Sequence, residues 1–524
     1  MKGRQKSDGR VVPQGRRKAC RVGTGQPGKA TTASEQTGQL GLFGETAENP
    51  KGATSARASS PLDGKRTVVP KSPKGKSITL PPMTIEEIAN ETTLRTAFSR
   101  VAANRGAPGP DRQSIEGVRE NLEECLCRLH QSLLDGTYRV GDIRRVWIPK
   151  SGGGKRGLGI PNVVDRVVQQ AVHQVLSPHY EPTFHRWSHG FRPDRSCHTA
   201  IKDAKKHLQE GLNWTVDIDL AKFFDEVNHD RLISRLEQRI TDRKVLALIR
   251  QMLRAKVVLP DGVVLATQKG TPQGGPLSPL MSNIVLDELD QELERRGHRF
   301  VRYADDCNVY VRSERAGQRV MASLTSFIEK RLKLRVNAEK SKVAKPQDCK
   351  FLGLTLHKLK TGQVRVLVAD KSLQTLEQEL KARTPRNWGQ SLDNCIQNVN
   401  VLLRGWLGYF GICDEKHLAR LGRIDGHLRR RLRAIVLRQW KRKRHIVTQL
   451  SSMGVPNSLA RVDINVKRRS WWALSKARAV QRGLTNEYFD RRALFSMRDN
   501  WNTTHERIWD IGPVQLMLLK GKLG

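Results

Sequence analysis

The segment Phe300-Val301-Arg302-Tyr303-Ala304-Asp305-Asp306-Cys307-Asn308-Val309-Tyr310-Val311 decides how this chain is read. Two largely apolar, β-favouring arms flank Tyr303-Ala304-Asp305-Asp306, so the pattern predicts a hairpin presenting two adjacent carboxylates at its turn. Ionised carboxylates side by side repel, and an apolar hairpin retains them mainly where a divalent cation neutralises them. Asp-Asp pairs also occur in solvated turns, so the metal reading needs support from elsewhere in the chain.

A two-metal nucleotidyl-transfer site draws carboxylates from at least two segments, because its cations must be bridged roughly 4 Å apart. The second segment is Trp214-Thr215-Val216-Asp217-Ile218-Asp219-Leu220-Ala221-Lys222-Phe223-Phe224-Asp225-Glu226-Val227-Asn228-His229. It reads as a strand followed by a helix start, with period-two geometry turning Asp217 and Asp219 to one face. Mg²⁺ takes a few carboxylates together with water and substrate phosphates. Asp219 with Asp305 is therefore enough, with Asp306 close by as a weaker or outer partner. Asp217 either joins them or simply ends the strand in solvent.

Further segments follow in a fixed order. They are Asn104-Arg105-Gly106-Ala107-Pro108-Gly109-Pro110-Asp111, the loop from Ile148-Pro149-Lys150 through Gly152, Gly153, Gly154 and Arg156 to Pro161, and His189-Gly190-Phe191-Arg192-Pro193. After the Asp219 segment come Thr271-Pro272-Gln273-Gly274-Gly275-Pro276-Leu277-Ser278-Pro279, Arg335-Val336-Asn337-Ala338-Glu339-Lys340-Ser341-Lys342 and Phe351-Leu352-Gly353-Leu354. In this order the set resembles the group II intron reverse transcriptases, or intron-encoded maturases, from about residue 85 to about residue 455.

The resemblance implies an α+β right-hand polymerase whose fingers and palm, built on antiparallel sheet, occupy residues 81–370. A helical thumb, the maturase-specific domain, would occupy 371–460, and a basic C-terminal region 461–524. It implies an RNA-directed DNA polymerase using two Mg²⁺ ions, with Asp219, Asp305 and Asp306 as catalytic and metal-holding residues. Lys150 and Arg156 would clamp the incoming deoxynucleoside triphosphate, and Gln273 would line the nucleotide and template site. Phe224 would exclude a 2′-hydroxyl, while its neighbour Phe223 packs inward. The implied partners are the parent group II intron RNA and a DNA target and primer. A splicing cofactor without polymerase activity, and a reverse transcriptase recruited to host DNA repair or defence, are the alternative readings.

The residues carry physical sense of their own. Between Lys150 and Arg156, glycines give a backbone free to approach a triphosphate while the cations neutralise it, although an exposed basic hairpin would look the same. Lys and Arg number 93 against 52 Asp and Glu, a formal charge of +41. That excess exceeds what solubility needs and points to a polyanionic partner, nucleic acid.

Eight dispersed cysteines form no Cys-x-x-Cys pair, which argues against a zinc site and suits a reducing cytosol. With His505 but no paired-cysteine framework, the chain reads as an endonuclease-less member of the family. Residues 1–80 are rich in Gly, Ser, Thr, Pro and cations without apolar periodicity, so they read as a disordered basic arm. No stretch has the roughly 20 apolar residues that span a bilayer, and a cytoplasmic, nucleic-acid-associated protein is expected.

From about Ser372 the sequence turns helical, and Asn398-Val399-Asn400-Val401-Leu402-Leu403-Arg404-Gly405-Trp406-Leu407-Gly408-Tyr409-Phe410-Gly411 resembles the maturase signature. Leu428, Leu432, Ile435, Val436 and Trp440 recur at helical spacing as a buried stripe. That leaves Arg429, Arg430, Arg433, Lys441 and Arg444 to face outward toward RNA phosphate. Between Arg461 and Trp509, tryptophans alternate with cations, a pattern that serves base stacking or an aromatic core equally well.

Overall fold

The computed structural model describes residues 80–149, 154–385, 387–465 and 470–510. Lys150, Arg468, Arg469 and all of the expected N-terminal arm except Leu80 lie outside the described residues.

Among the described residues ten strands form three sheets. In chain order they are β1 (Ile143–Pro149), β2 (Lys155–Ile160), β3 (Trp214–Ile218), β4 (Val257–Val258), β5 (Val264–Leu265), β6 (Arg299–Tyr303), β7 (Asp306–Val311), β8 (Lys342–Ala344), β9 (Leu354–Lys358) and β10 (Val364–Val368). The sheet that carries the carboxylates has the order β6-β7-β3-β8 and is antiparallel throughout. A second sheet, β2-β1-β4-β5, carries the Arg156 strand. Here the antiparallel expectation fails at one pair, because β1 runs parallel to β4, with Ile143 opposite Val257. The short strands β4 and β5 arrive from a segment about a hundred residues downstream, a crossover that permits parallel pairing and that local alternation does not reveal. β9 and β10 form a separate hairpin across the turn-rich stretch Lys358 to Gln363.

The central sheet works as a two-sided partition. Val216, Ile218, Phe300, Cys307 and Val309 enter a core shared with the helices Val163–Tyr180 and Ser278–Arg295. Val301 and Tyr310 join a second core with the helices Cys197–Gln209, Asp370–Arg383, Leu392–Phe410 and Leu418–Trp440. Alternate residues of one strand thus serve two cores, as a pleated strand buried on both faces requires. Ser278–Arg295 is buried nearly all round, polar Asn283, Asp287 and Asp290 included, and it runs directly behind the sheet.

The short helices after residue 456 close the second core with Leu474, Val480, Leu484, Phe489, Met497 and Trp501. The C-terminal tryptophans are therefore partly structural: Trp501 is buried, and Trp509 is flanked by Lys202 and Lys205. Among the described residues all seven cysteines are free, and no helix is long and apolar enough to cross a membrane.

Candidate nucleotidyl-transfer site

Tyr303 pairs with Asp306 across a turn of two residues, Ala304 and Asp305, so the sequence-predicted hairpin forms with Asp305 at its tip and Asp306 opening β7. The last registered pair of β3 and β7 is Ile218 with Cys307. One residue beyond it on each strand lie Asp219 and Asp306. Asp217, two residues back, is registered with Asn308. The four carboxylates from two segments therefore gather at one end of the sheet.

Asp219 is held by the segment that runs past it. Its N–H donates to Ser341 Oγ at 3.0 Å, its carbonyl accepts from Asn337 N at 2.8 Å, and Lys340 Nζ lies 3.4 Å from its carboxylate. Burial pushes the Asp306 carboxyl up to about 7, reinforced by Asp305, Asp217 and Asp219. Burial likewise takes Asp217 to about 6, with Asp219 adding to it, and raises Asp305, where nearby Arg156 opposes the shift. Clustered carboxyls that cannot all ionise comfortably are what a divalent cation relieves. Among the described residues no group of three or more His, Cys, Asp or Glu side chains converges into a ready-made metal site. The donor chemistry and mutual repulsion fit a divalent cation.

Three further sequence candidates come together around this end. Thr271 N donates to the carbonyl of Phe224 at 2.6 Å and Gly270 N to that of Val227 at 2.7 Å, which docks the Thr271–Pro276 turn onto the Phe223–Glu226 helix. Gly159 N of β2 donates to the carbonyl of Gln273 at 2.7 Å. Only a bare backbone fits here, since a Cβ on Gly274 would stand 2.5 Å from the Gly159 carbonyl. Phe224, Gln273 and Arg156 are thereby tied into one surface. Phe223 is buried at 2% exposure, as its inward expectation has it, and Phe224 is half-buried against the edge of the same core.

The arginines of the Leu418–Trp440 helix do not all face solvent. Arg430 lies over the Trp472 ring and bonds to the Trp472 carbonyl and Ser475 Oγ, while Arg433 Nε donates to the Leu484 carbonyl at 2.8 Å. The outward expectation for these two is corrected: helices 40 to 50 residues downstream pack onto that face. Arg429 is half-buried beside Asp425, and Lys441 and Arg444 are exposed. Lys340 was not singled out from sequence. A lone cation in a basic string carries no local mark, and only the approach of its segment to Asp219 reveals it.

An antiparallel sheet ending in a carboxylate hairpin, with the Arg156 strand beside it, has the form of the reverse transcriptase fold. A reverse transcriptase (RNA-dependent DNA polymerase) domain matches residues 148–356, and a group II intron, maturase-specific domain matches residues 373–451. Protein YkfC of Escherichia coli K12 is 32% identical over 351 residues, covering 59% of this chain and 89% of that protein. The group II intron-encoded protein LtrA of Lactococcus lactis is 31% identical over 340 residues, covering 51% of this chain and 55% of LtrA. A putative COX1/OXI3 intron 2 protein of Saccharomyces cerevisiae is 32% identical over 257 residues, 49% of this chain and 29% of that protein. The chain thus spans most of YkfC but about half or less of the other two. It belongs to the group II intron-encoded reverse transcriptases and maturases.

Proposed function

We propose that this protein copies RNA into DNA from a primer 3′-hydroxyl and also binds its parent group II intron RNA, assisting its splicing. The observation that carries the polymerase reading is the gathering of Asp219, Asp305 and Asp306 at one sheet end, with Arg156, Phe224 and Gln273 tied into the adjoining surface. The maturase-specific match over residues 373–451 supports the splicing role. In this reading residues 81–370 are fingers and palm, 371–460 the thumb, and 461–524 a basic region against nucleic acid.

Two Mg²⁺ ions held by Asp219, Asp305 and Asp306 would activate the primer hydroxyl and neutralise the departing pyrophosphate. The chain's own groups do the rest. Arg156 places a cation against the triphosphate, and Lys340 adds positive charge beside Asp219. The exposed edge of Phe224 crowds the sugar, and the Gln273 turn lines the nucleotide's other side. Substrates are deoxynucleoside triphosphates, an RNA template and a DNA primer.

The test separates the two activities. Asp305→Asn keeps shape and removes a charge, so primer extension should fall by orders of magnitude while intron RNA binding and protein-assisted splicing persist. Primer extension near the wild-type rate would sink the site assignment.

A further inference from the structure

We propose that Arg302 is a positioning residue for the polymerase reaction: it locks the central peptide of the catalytic hairpin turn and so aims the Asp305 carboxylate. This rests on the reading of Asp305 as a catalytic carboxylate.

Arg302 is fully buried, at 0% exposure, on the face of the sheet turned toward the helix Ser278–Arg295. The carboxylate Asp306 lies on the opposite face, as the alternation of β6 and β7 dictates. A guanidinium has five N–H donors, and each has an acceptor here. Nε and Nη2 grip the two carboxylate oxygens of Asp290 at 2.7 and 2.5 Å. Nη2 also reaches Ser188 Oγ at 2.7 Å, and Nη1 reaches Asn283 Oδ1 at 3.0 Å. The fifth bond runs from Nη1 to the carbonyl of Ala304 at 2.8 Å.

That last bond sets the geometry. The Ala304 carbonyl belongs to the peptide joining Ala304 to Asp305, the two turn residues. Of these two only Ala304 has a positive φ, +57°, the pattern of a II′ rather than a I′ hairpin turn. The two turn types differ by a flip of this central peptide, and a flip rotates the backbone that carries the Asp305 side chain. A II′ turn favours glycine at its first position, yet alanine stands there. Local preference is therefore weak, and an outside bond must hold the peptide.

The same framework restrains the turn from its other side. Asn283, while accepting from Arg302, donates Nδ2 to the Gly190 carbonyl at 2.9 Å. Gly190 lies so close to the turn that a Cβ there would stand 2.2 Å from Ala304 N. The backbone bond from His189 N to the Arg302 carbonyl, 2.9 Å, keeps this strap in register. Asp290 orients Arg302, Arg302 holds the Ala304 carbonyl, and Gly190 leaves the turn no room to drift.

Arg302→Lys retains a cation for Asp290 but lacks the planar fork that reaches Asp290 and Ala304 together. It should lower kcat for primer extension by about tenfold to a hundredfold, the effect of a small misplacement of a reacting group. KM for nucleotide and affinity for template and primer should change less than about twofold, because the bond acts on turn geometry rather than on binding surface.

Ala304→Gly suits the first position of a II′ turn, so adding it to Arg302→Lys should restore a large part of kcat without raising the melting temperature in proportion. A merely structural arginine would lose activity in step with folded fraction and gain nothing from this rescue. Rates are taken per molecule competent to bind template and primer. Should Arg302→Lys prove too unstable to purify, Asn283→Ser, which leaves the Arg302–Asp290 pair in place, carries the same test with a smaller loss and the same rescue.

Wild-type kcat in these variants, or a loss that Ala304→Gly does not relieve, overturns the proposal. Asp305→Asn is assayed alongside. If it is inactive while Arg302→Lys is fully active, the positioning inference alone fails; if it is active, the catalytic reading itself fails.

Discussion

The guanidinium of Arg430 stacks on the indole of Trp472, with Cζ 3.7 Å from the ring centroid, and its Nη2 donates to the carbonyl of the same tryptophan at 3.2 Å. A residue that sequence periodicity places on an outward basic face is thus a peg joining the Leu418–Trp440 helix to the chain that follows. The relationship separates cations that hold the protein together from those free to meet RNA.

Arg430→Gln should accordingly cost stability, roughly 1 to 3 kcal/mol for the stacking and the hydrogen bonds, read as a lower denaturation midpoint. Lys441→Gln with Arg444→Gln should leave that midpoint unchanged. The double variant should weaken intron RNA binding and make the log–log salt dependence shallower by up to about 2, one for each phosphate no longer neutralised. Protein-assisted splicing should suffer while extension on a short template and primer is retained. An unchanged salt slope would place the RNA elsewhere.

On the proposed gate role, Phe224→Val opens room for a 2′-hydroxyl. Ribonucleotide incorporation relative to deoxynucleotide should rise by tenfold or so, a discrimination of about 1 to 2 kcal/mol, measured by steady-state kinetics with each nucleotide. Phe223→Val, by contrast, hollows a core and should mainly lower stability, by about 1 to 2 kcal/mol. A selectivity ratio that does not move in Phe224→Val puts the sugar gate at another residue.

Arg156→Ala removes the β2 cation whose charge reaches Asp305. The apparent KM for nucleotide should rise by about tenfold or more, while template affinity falls much less. Equal losses in both would show that Arg156 belongs to a general basic surface.

Asp287, buried on the helix Ser278–Arg295 behind the central sheet, supplies a test of pH dependence. Burial, with Asp290 adding to it, raises its carboxyl from 3.8 to about 6, and Arg235 opposes the shift. The native state therefore holds this proton more tightly than the unfolded chain. The stabilisation is complete below about 4 and is lost as pH rises through 6, leaving a cost of about 3 kcal/mol at neutral pH. Asp287→Asn can still accept from Arg235 and Gln291. Its stability relative to wild type should be greater at pH 7.5 than at pH 5 in urea denaturation; a difference independent of pH would show that the carboxyl titrates normally.

Local pattern made the site legible where chemistry and chain direction coincide. The two apolar arms around Tyr303 to Asp306 gave the hairpin, the strand reading of Trp214 to Asp219 gave β3, and the inward packing of Phe223 followed from its place at a strand-to-helix junction. The buried stripe of Leu428, Leu432, Ile435 and Val436 followed from helical spacing in the same way, while Trp440 at its end is only half-buried. Such features depend on neighbours within a few residues, and those neighbours are written next to one another.

Three matters were decided only by the tertiary structure. β1 takes a parallel partner because β4 arrives from far downstream, which no alternation encodes. Arg430 and Arg433 turn inward onto later helices, because periodicity says which face leaves a helix's own core but not what will cover that face. Arg302 is a cation within a largely apolar strand. It is buried because Asp290, Asn283, Ser188 and the Ala304 carbonyl together satisfy every donor it has. The sequence by itself determined which groups could do the chemistry. The fold decided which of them are aimed, since aiming depends on partners as far as 114 residues away in the chain and on the cost of burying any donor left without one.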